Sequence, residues 1–142
     1  MKLTPQLALS FNGRCEEAFR LYERCLNGTI TFMLHCRDAP DGGAVPPEWR
    51  DKVYHATLQI GTIAIAGADV PPDKYEPPRG FDVILQMDDP GAAERIFTEL
   101  AAGGTIRMPL QETFWAPRFG VLTDRFGIPW VVNCEAPAEP TP

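Results

Sequence analysis

The segment Asn27-Gly28-Thr29-Ile30 returns as Gly103-Gly104-Thr105-Ile106, an offset of 76 residues from Gly28 to Gly104, and this repeat constrains the fold more than any other feature. The same offset carries Leu7, Leu9 and Phe11 onto Val83, Leu85 and Met87. Two separate landmarks agreeing on one register is the mark of an internal duplication. A chain built this way must fold as two copies of one plan.

The plan can be read from the first copy. Leu7, Leu9 and Phe11 alternate with Ala8 and Ser10, the period-two pattern of a strand with one face in a core. Asn12-Gly13 makes a turn. Glu16-Glu17 then suits the positive end of a helix carrying Ala18, Phe19, Leu21, Tyr22, Cys25 and Leu26, which Asn27-Gly28 ends as a left-handed cap. In the second copy, Val83 to Met87 alternate likewise, Asp88-Asp89-Pro90 opens a helix through Ala92, Ile96, Phe97 and Leu100, and Gly103-Gly104 ends it. Further strands are expected near Thr29–Cys36, Val53–Ile60 and Thr62–Ala66, and near Thr105–Met108, Phe119–Thr123 and Trp130–Cys134. Each half is then βαβββ.

The predicted organisation is a first module over residues 1–69, a Pro-rich linker over 70–80, a second module over 81–134 and a disordered tail over 135–142, in one structural domain overall. Ala39 to Pro47 is an inserted Pro/Gly loop. A sheet of four mostly antiparallel strands with one helix on its back leaves its other face bare, so the two halves are expected to form a cup from those faces.

The composition closes off several functions. A length of 142 residues with 44% hydrophobic content suits one domain with a real core. The net charge of −6, with no basic stripe, argues against a nucleic-acid partner. No run of about 18 apolar residues and no signal-peptide pattern occurs, so a cytoplasmic protein without a membrane segment is expected. Cys15, Cys25, Cys36 and Cys134 show no CxxC spacing and read as free thiols. With two histidines, a structural zinc would need distant cysteines.

Alternation also says what lines the cup. If Leu7, Leu9 and Phe11 face the helix, then Gln6, Ala8 and Ser10 face inward, as do Asp82, Ile84 and Gln86, with Gln6 and Asp82 at equivalent positions. In the third strand His55, Thr57 and Gln59 share the cup face, opposite Tyr54, Ala56, Leu58 and Ile60. His55 is the leading candidate, a hydrogen-bonding or proton-transfer group near neutral pH or, on the plainer alternative, a satisfied buried polar group. Asp82 with His55 and Gln6 could offer donors to a divalent cation, or Asp82 could merely end the linker. His35, in an apolar stretch, reads as structural. Glu112, Trp115 and Arg118 are expected in a loop before the last hairpin, the two charges in solvent and Trp115 supplying stacking area over a ligand.

SFNGRCEEAFRLYERCLNGTI, KVYHATLQIG and ETFWAPRFGVLTDRFGIPWVVNC together resemble the successive motifs of the PhnB-like branch of the vicinal oxygen chelate superfamily, which includes glyoxalase I, extradiol dioxygenases and bleomycin-resistance proteins. The likeness runs over nearly the whole chain, and its most specific part is the closing series Trp115, Gly120, Asp124, Phe126, Gly127 and Trp130. It implies paired βαβββ units and a homodimer. The superfamily's enzymes place metal ligands, histidines and a glutamate, at the start of the first strand of each half and near the end of the last. Here those positions hold Gln6, Asp82 and Val131, with Asn133 on the same face as Val131. His55 matches the histidine of the branch's third-strand motif. Some relatives carry a ubiquinone methyltransferase label, but no glycine-rich nucleotide loop follows a strand here.

The expectation is therefore an α+β fold of two βαβββ modules forming a glyoxalase-like cup of curled mixed sheets with helices outside. The expected function is binding of a polar or anionic metabolite, with His55 as the catalytic candidate if there is chemistry. Gln6, Ser10, Thr57, Gln59, Gln86, Trp115 and Asn133 are the ligand-binding candidates. A divalent metal on Asp82 and His55 defines the alternative, an isomerase, lyase or dioxygenase; drug sequestration is the third. The expected partner is a small molecule.

Overall fold

The structure is a computed structural model that describes residues 1–40 and 45–136; the middle of the expected insertion and most of the expected tail lie outside these. Contacts divide the chain into two units, Met1–Glu76 and Pro77–Pro142. The division falls within the Pro-rich segment 70–80.

In the first unit, β1 (Leu7–Phe11) leads to α1 (Cys15–Cys25), then β2 (Thr29–His35), β3 (Val53–Ile60) and β4 (Ile63–Asp69), with short 3-10 turns at Cys36–Asp38 and Pro47–Trp49. The sheet order is β1-β4-β3-β2. Only β1 and β4 run parallel, with Leu7 opposite Ile65; the other pairs are antiparallel. The second unit repeats this. β5 (Val83–Met87), α2 (Pro90–Ala101), β6 (Thr105–Gln111), β7 (Arg118–Thr123) and β8 (Pro129–Cys134) form a sheet of order β5-β8-β7-β6, with β5 parallel to β8. The 76-residue offset carries β1 onto β5 and β2 onto β6 end to end. It also carries Asn27, at φ 54°, onto Gly103, at φ 75°, so both helices leave through a left-handed residue at the same place.

Each sheet buries one face under its own helix. Leu9, Phe11, Ala56, Leu58 and Ile65 pack with Ala18, Phe19, Leu21 and Tyr22 of α1 in the first core. Leu122, Trp130 and Val132 pack with Ala93, Ile96, Phe97 and Leu100 of α2 in the second. Close approach is enforced by glycine. A Cβ on Gly67 would lie 2.4 Å from the Phe19 ring, and one on Gly120 would lie 2.6 Å from Phe97.

Several boundaries differ from the sequence reading by a few residues, most at the ends of β4 and β6. β4 runs on to Asp69, because the Asp69 carboxylate accepts from the Cys15 and Val53 N–H groups and ties the start of α1 to the start of β3. β6 runs on to Gln111, with register shifts between Ile106 and Met108 and between Met108 and Gln111. Arg118, expected in the loop, is the first residue of β7.

Candidate functional site

In the first unit the face away from α1 carries the predicted residues. One row across the strands is Ala8, Ala66, Thr57 and Phe32; beside it lie Ser10 with Ala68, and His55 with Leu34. The middle of this face is small-residue, from Ala8, Ala66 and Ala68, with His55 and Phe32 rising beside it, their ring centroids 5.9 Å apart. The His55 ring is exposed, and no described side chain hydrogen-bonds to it. Its nitrogens are thus left for a ligand or water. Gln59 is differently placed: its Nε2 donates to the Gly61 carbonyl at 3.0 Å, which commits half of its amide to the β3–β4 turn. Gln6 is exposed and immediately precedes β1. His35, read as structural, donates from Nε2 to Glu16 Oε1 at 2.7 Å and joins β2 to α1. That bond, more than the nearby Arg20, holds the Glu16 carboxyl below its ordinary value of 4.5.

In the second unit the row opposite α2 runs Gln86, Asn133, Phe119 and Gln111, and the next runs Ile84, Val131, Val121 and Met108. Asn133 Nδ2 donates to Gln86 Oε1 at 2.6 Å. Trp115 stands edge-on to the Phe119 ring, centroids 5.1 Å apart, and Phe114 edge-on to Trp115 at 4.7 Å. The loop that holds them is pinned by Thr113, whose N–H donates to the Ala116 carbonyl while its Oγ1 accepts from the Ala116 N–H. Even so, Phe114 is 98% exposed and Trp115 51% exposed, so their rings are available to a ligand. Glu112 is exposed as expected. Arg118 points to the helix side and donates to Glu94 of α2 at 3.1 Å, so it does not take part in this face.

The sequence reading did not single out two residues here, Arg107 and Phe119. Arg107 Nη2 donates to Asp82 Oδ1 at 2.5 Å and to the Leu122 carbonyl at 3.1 Å. β5 and β6 are the outer strands of the sheet, which three spacings of ~4.8 Å would separate by about 14 Å if it were flat. An arginine and an aspartate span this only if the sheet curls toward its open side, the other side being covered by α2. The register shift next to Arg107 is why a period-two count cannot place it. Phe119 was legible, since it alternates with Gly120 and Leu122, which face the helix.

The superfamily's ligand positions do not fit a divalent cation in this chain. The Asp82 carboxylate already holds a guanidinium, Val131 is apolar and 8% exposed, and Gln6 offers a neutral amide. Among the described residues no three His, Cys, Asp or Glu side chains converge in a metal-holding group. Nor is there a thiol nucleophile at Cys15, since burial, with Asp69 and Glu16 nearby, pushes that thiol far above its ordinary range.

The closing motif turns out to be a folding device. Asp124, 3% exposed, accepts at Oδ1 from the Phe126 and Ile128 N–H groups, both at 2.9 Å, and at Oδ2 from Trp130 Nε1 at 2.8 Å. With Gly127 at φ 91°, this carboxylate shapes the turn from β7 to β8.

Two βαβββ units, each with a helix on one side of its sheet and hydrogen-bonding groups on the other, define the class: an α+β protein of paired modules. Residues 6–132 match the family model of the Glyoxalase/Bleomycin resistance protein/Dioxygenase superfamily. The chain belongs to that superfamily. It is 33% identical over 144 residues to the protein YjdN of Escherichia coli strain K12, covering 94% of this chain and 95% of that one. The crystal structure of protein PA1353 from Pseudomonas aeruginosa is similar at 44% identity and a TM-score of 0.86, covering 96% of this chain and all of that one. The PhnB protein from Bacillus cereus shares the fold, with a TM-score of 0.80 at 21% identity over 93% of this chain and 99% of its own. Members of the superfamily bind small molecules, and some are metal-dependent enzymes.

Proposed function

We propose that this chain is a small-molecule-binding member of its superfamily that takes a polar metabolite on the open sheet faces, with His55 as the hydrogen-bonding or proton-transfer group. The single observation that carries this is the contrast between the two faces of each sheet. One is packed against a helix; the other presents His55 and Thr57, or Gln86 and Asn133, beside exposed aromatic rings. Polar groups on a strand face opposite a core are inexpensive to keep in water, but an exposed Phe114–Trp115 pair next to them is not, and such aromatic area marks a surface that meets a partner. Ser10, Gln59 and Gln6 border the first face, and the unpaired nitrogens of His55 make it the strongest contact there.

The protein is a homodimer on this reading, which light scattering after gel filtration measures. Its four free, buried cysteines accord with a reducing, cytoplasmic setting; none of the described helices is long and apolar enough to cross a membrane. The test of function is a metabolite panel screened by thermal shift in buffer containing a chelator, with hits measured by calorimetry on wild type and His55→Ala. Binding without metal that weakens about tenfold or more in His55→Ala supports the proposal. Unchanged affinity for every hit overturns the role of His55. A stoichiometric divalent cation in protein purified without chelator, lost in Asp82→Ala, would instead make it a metal-dependent isomerase, lyase or dioxygenase.

A further inference from the structure

We infer that the second unit's open face recognises an uncharged, planar ligand of the carboxamide or lactam type, seated between the Gln86–Asn133 pair and the Trp115–Phe119 rings; this rests on the proposed binding function and narrows its ligand. The first observation is Asn133 Oδ1, a buried carbonyl oxygen with no hydrogen-bond partner among the described residues. Its own Nδ2 is spent on Gln86 Oε1. A buried acceptor left unpaired is costly, so a donor brought to it by a ligand would relieve that cost. The donor it calls for is an N–H or O–H.

Charge supplies the second, independent argument. An uncompensated cation is the strongest anion-binding group, and neither Arg107 nor Arg118 supplies one here: Arg107 is paired with Asp82, while Arg118 is turned to Glu94 on the helix side. What remains in the row Gln86, Asn133, Phe119 and Gln111 is amide and aromatic. Gln86, whose amide is exposed and whose Oε1 alone is engaged, keeps its Nε2 donors for a ligand carbonyl. A carboxamide presents an N–H for Asn133 Oδ1 and a C=O for Gln86 Nε2, and its aromatic or heteroaromatic ring meets the half-exposed Trp115 indole beside Phe119. A carboxylate of the same shape lacks the N–H and would set a negative charge against an unpaired carbonyl oxygen.

Matched probes test this. Benzamide against benzoate, and nicotinamide against nicotinate, are titrated into the full chain labelled with nitrogen-15, and the side-chain amide signals of Asn133 and Gln86 are followed. Each amide should bind about tenfold or more tightly than its carboxylate and move both signals. Trp115→Ala, in an exposed loop, and Gln86→Leu, on an outer strand, should each weaken benzamide binding severalfold while leaving the circular dichroism spectrum unchanged, and Asn133→Leu should abolish it. Equal or tighter binding of the carboxylates, an unchanged affinity in both Trp115→Ala and Gln86→Leu, or no binding of either amide at millimolar concentration overturns the inference. Ligands found by the metabolite screen that need His55 but ignore Gln86 and Trp115 would leave the proposed function standing and remove this refinement of it.

Discussion

Replacing Asp124 by Asn changes one atom and should destabilise the protein by about 3 kcal/mol. The carboxylate accepts from the N–H groups of Phe126 and Ile128 on one oxygen and from Trp130 Nε1 on the other, in a site 3% exposed. Hydrogen bonds to a charged acceptor contribute about 1.5–3 kcal/mol each, against about 1 for a neutral one. If the new amide oxygen keeps the two backbone bonds, they weaken by roughly 1 kcal/mol together, while the amide nitrogen now faces the indole N–H donor to donor at a separation of 2.8 Å in the parent. That buried mismatch adds about 2 kcal/mol. Rotating the amide only moves the mismatch to the two backbone donors. Trp130→Phe removes the indole donor, so the double substitution should be less damaging than the sum of the singles by about 1–2 kcal/mol. Equilibrium urea unfolding followed by far-UV circular dichroism measures all four proteins. A cost below about 1 kcal/mol for Asp124→Asn, or strict additivity with Trp130→Phe, would refute the assignment of Asp124 as the organiser of the β7–β8 turn.

Two further predictions are simpler. Glu16 has its carboxyl pKa lowered in the folded state by the His35 hydrogen bond, so its contribution to stability is present above 4.5 and is lost as pH falls through the lowered folded value. Thermal melts across the acid range should show a smaller loss of stability below pH 4.5 in Glu16→Gln than in wild type. At the glycines, Gly104→Ala would place a Cβ 2.2 Å from the Thr123 carbonyl oxygen, a backbone clash that should cost at least about 3 kcal/mol, whereas Gly61→Ala meets no atom within 4 Å and should cost only the roughly 1 kcal/mol of its left-handed φ. Urea midpoints compare the two.

How much of this was legible in the sequence depends on how local the cause is. Strand alternation and helix periodicity are set by each residue's own neighbours, so Leu7, Leu9 and Phe11 declare a core face and His55, Thr57 and Gln59 an open one without any tertiary knowledge. The 76-residue repeat then doubles every such statement, and the resemblance to the superfamily rests on motifs that survive in order. The meaning of the closing motif was not legible: Asp124, Gly127 and Trp130 looked like signature residues, and the structure shows them satisfying one another's hydrogen bonds.

Arg107 marks the limit most clearly. One displaced residue in β6 breaks the alternation that placed everything else, and the partner of Arg107 lies at the start of the opposite outer strand, near in space only because the sheet curls. The sequence by itself determined the two-copy βαβββ plan, the helix-covered faces and the open ones, since these follow from short-range periodicity. The tertiary structure decided that Asp82 holds a guanidinium, that Gln59 turns to its own hairpin, and that Asn133 keeps a buried oxygen with no partner among the described residues. Such facts depend on strand register and sheet curvature, which sum many weak contacts over the whole module and leave no mark on any one stretch of chain.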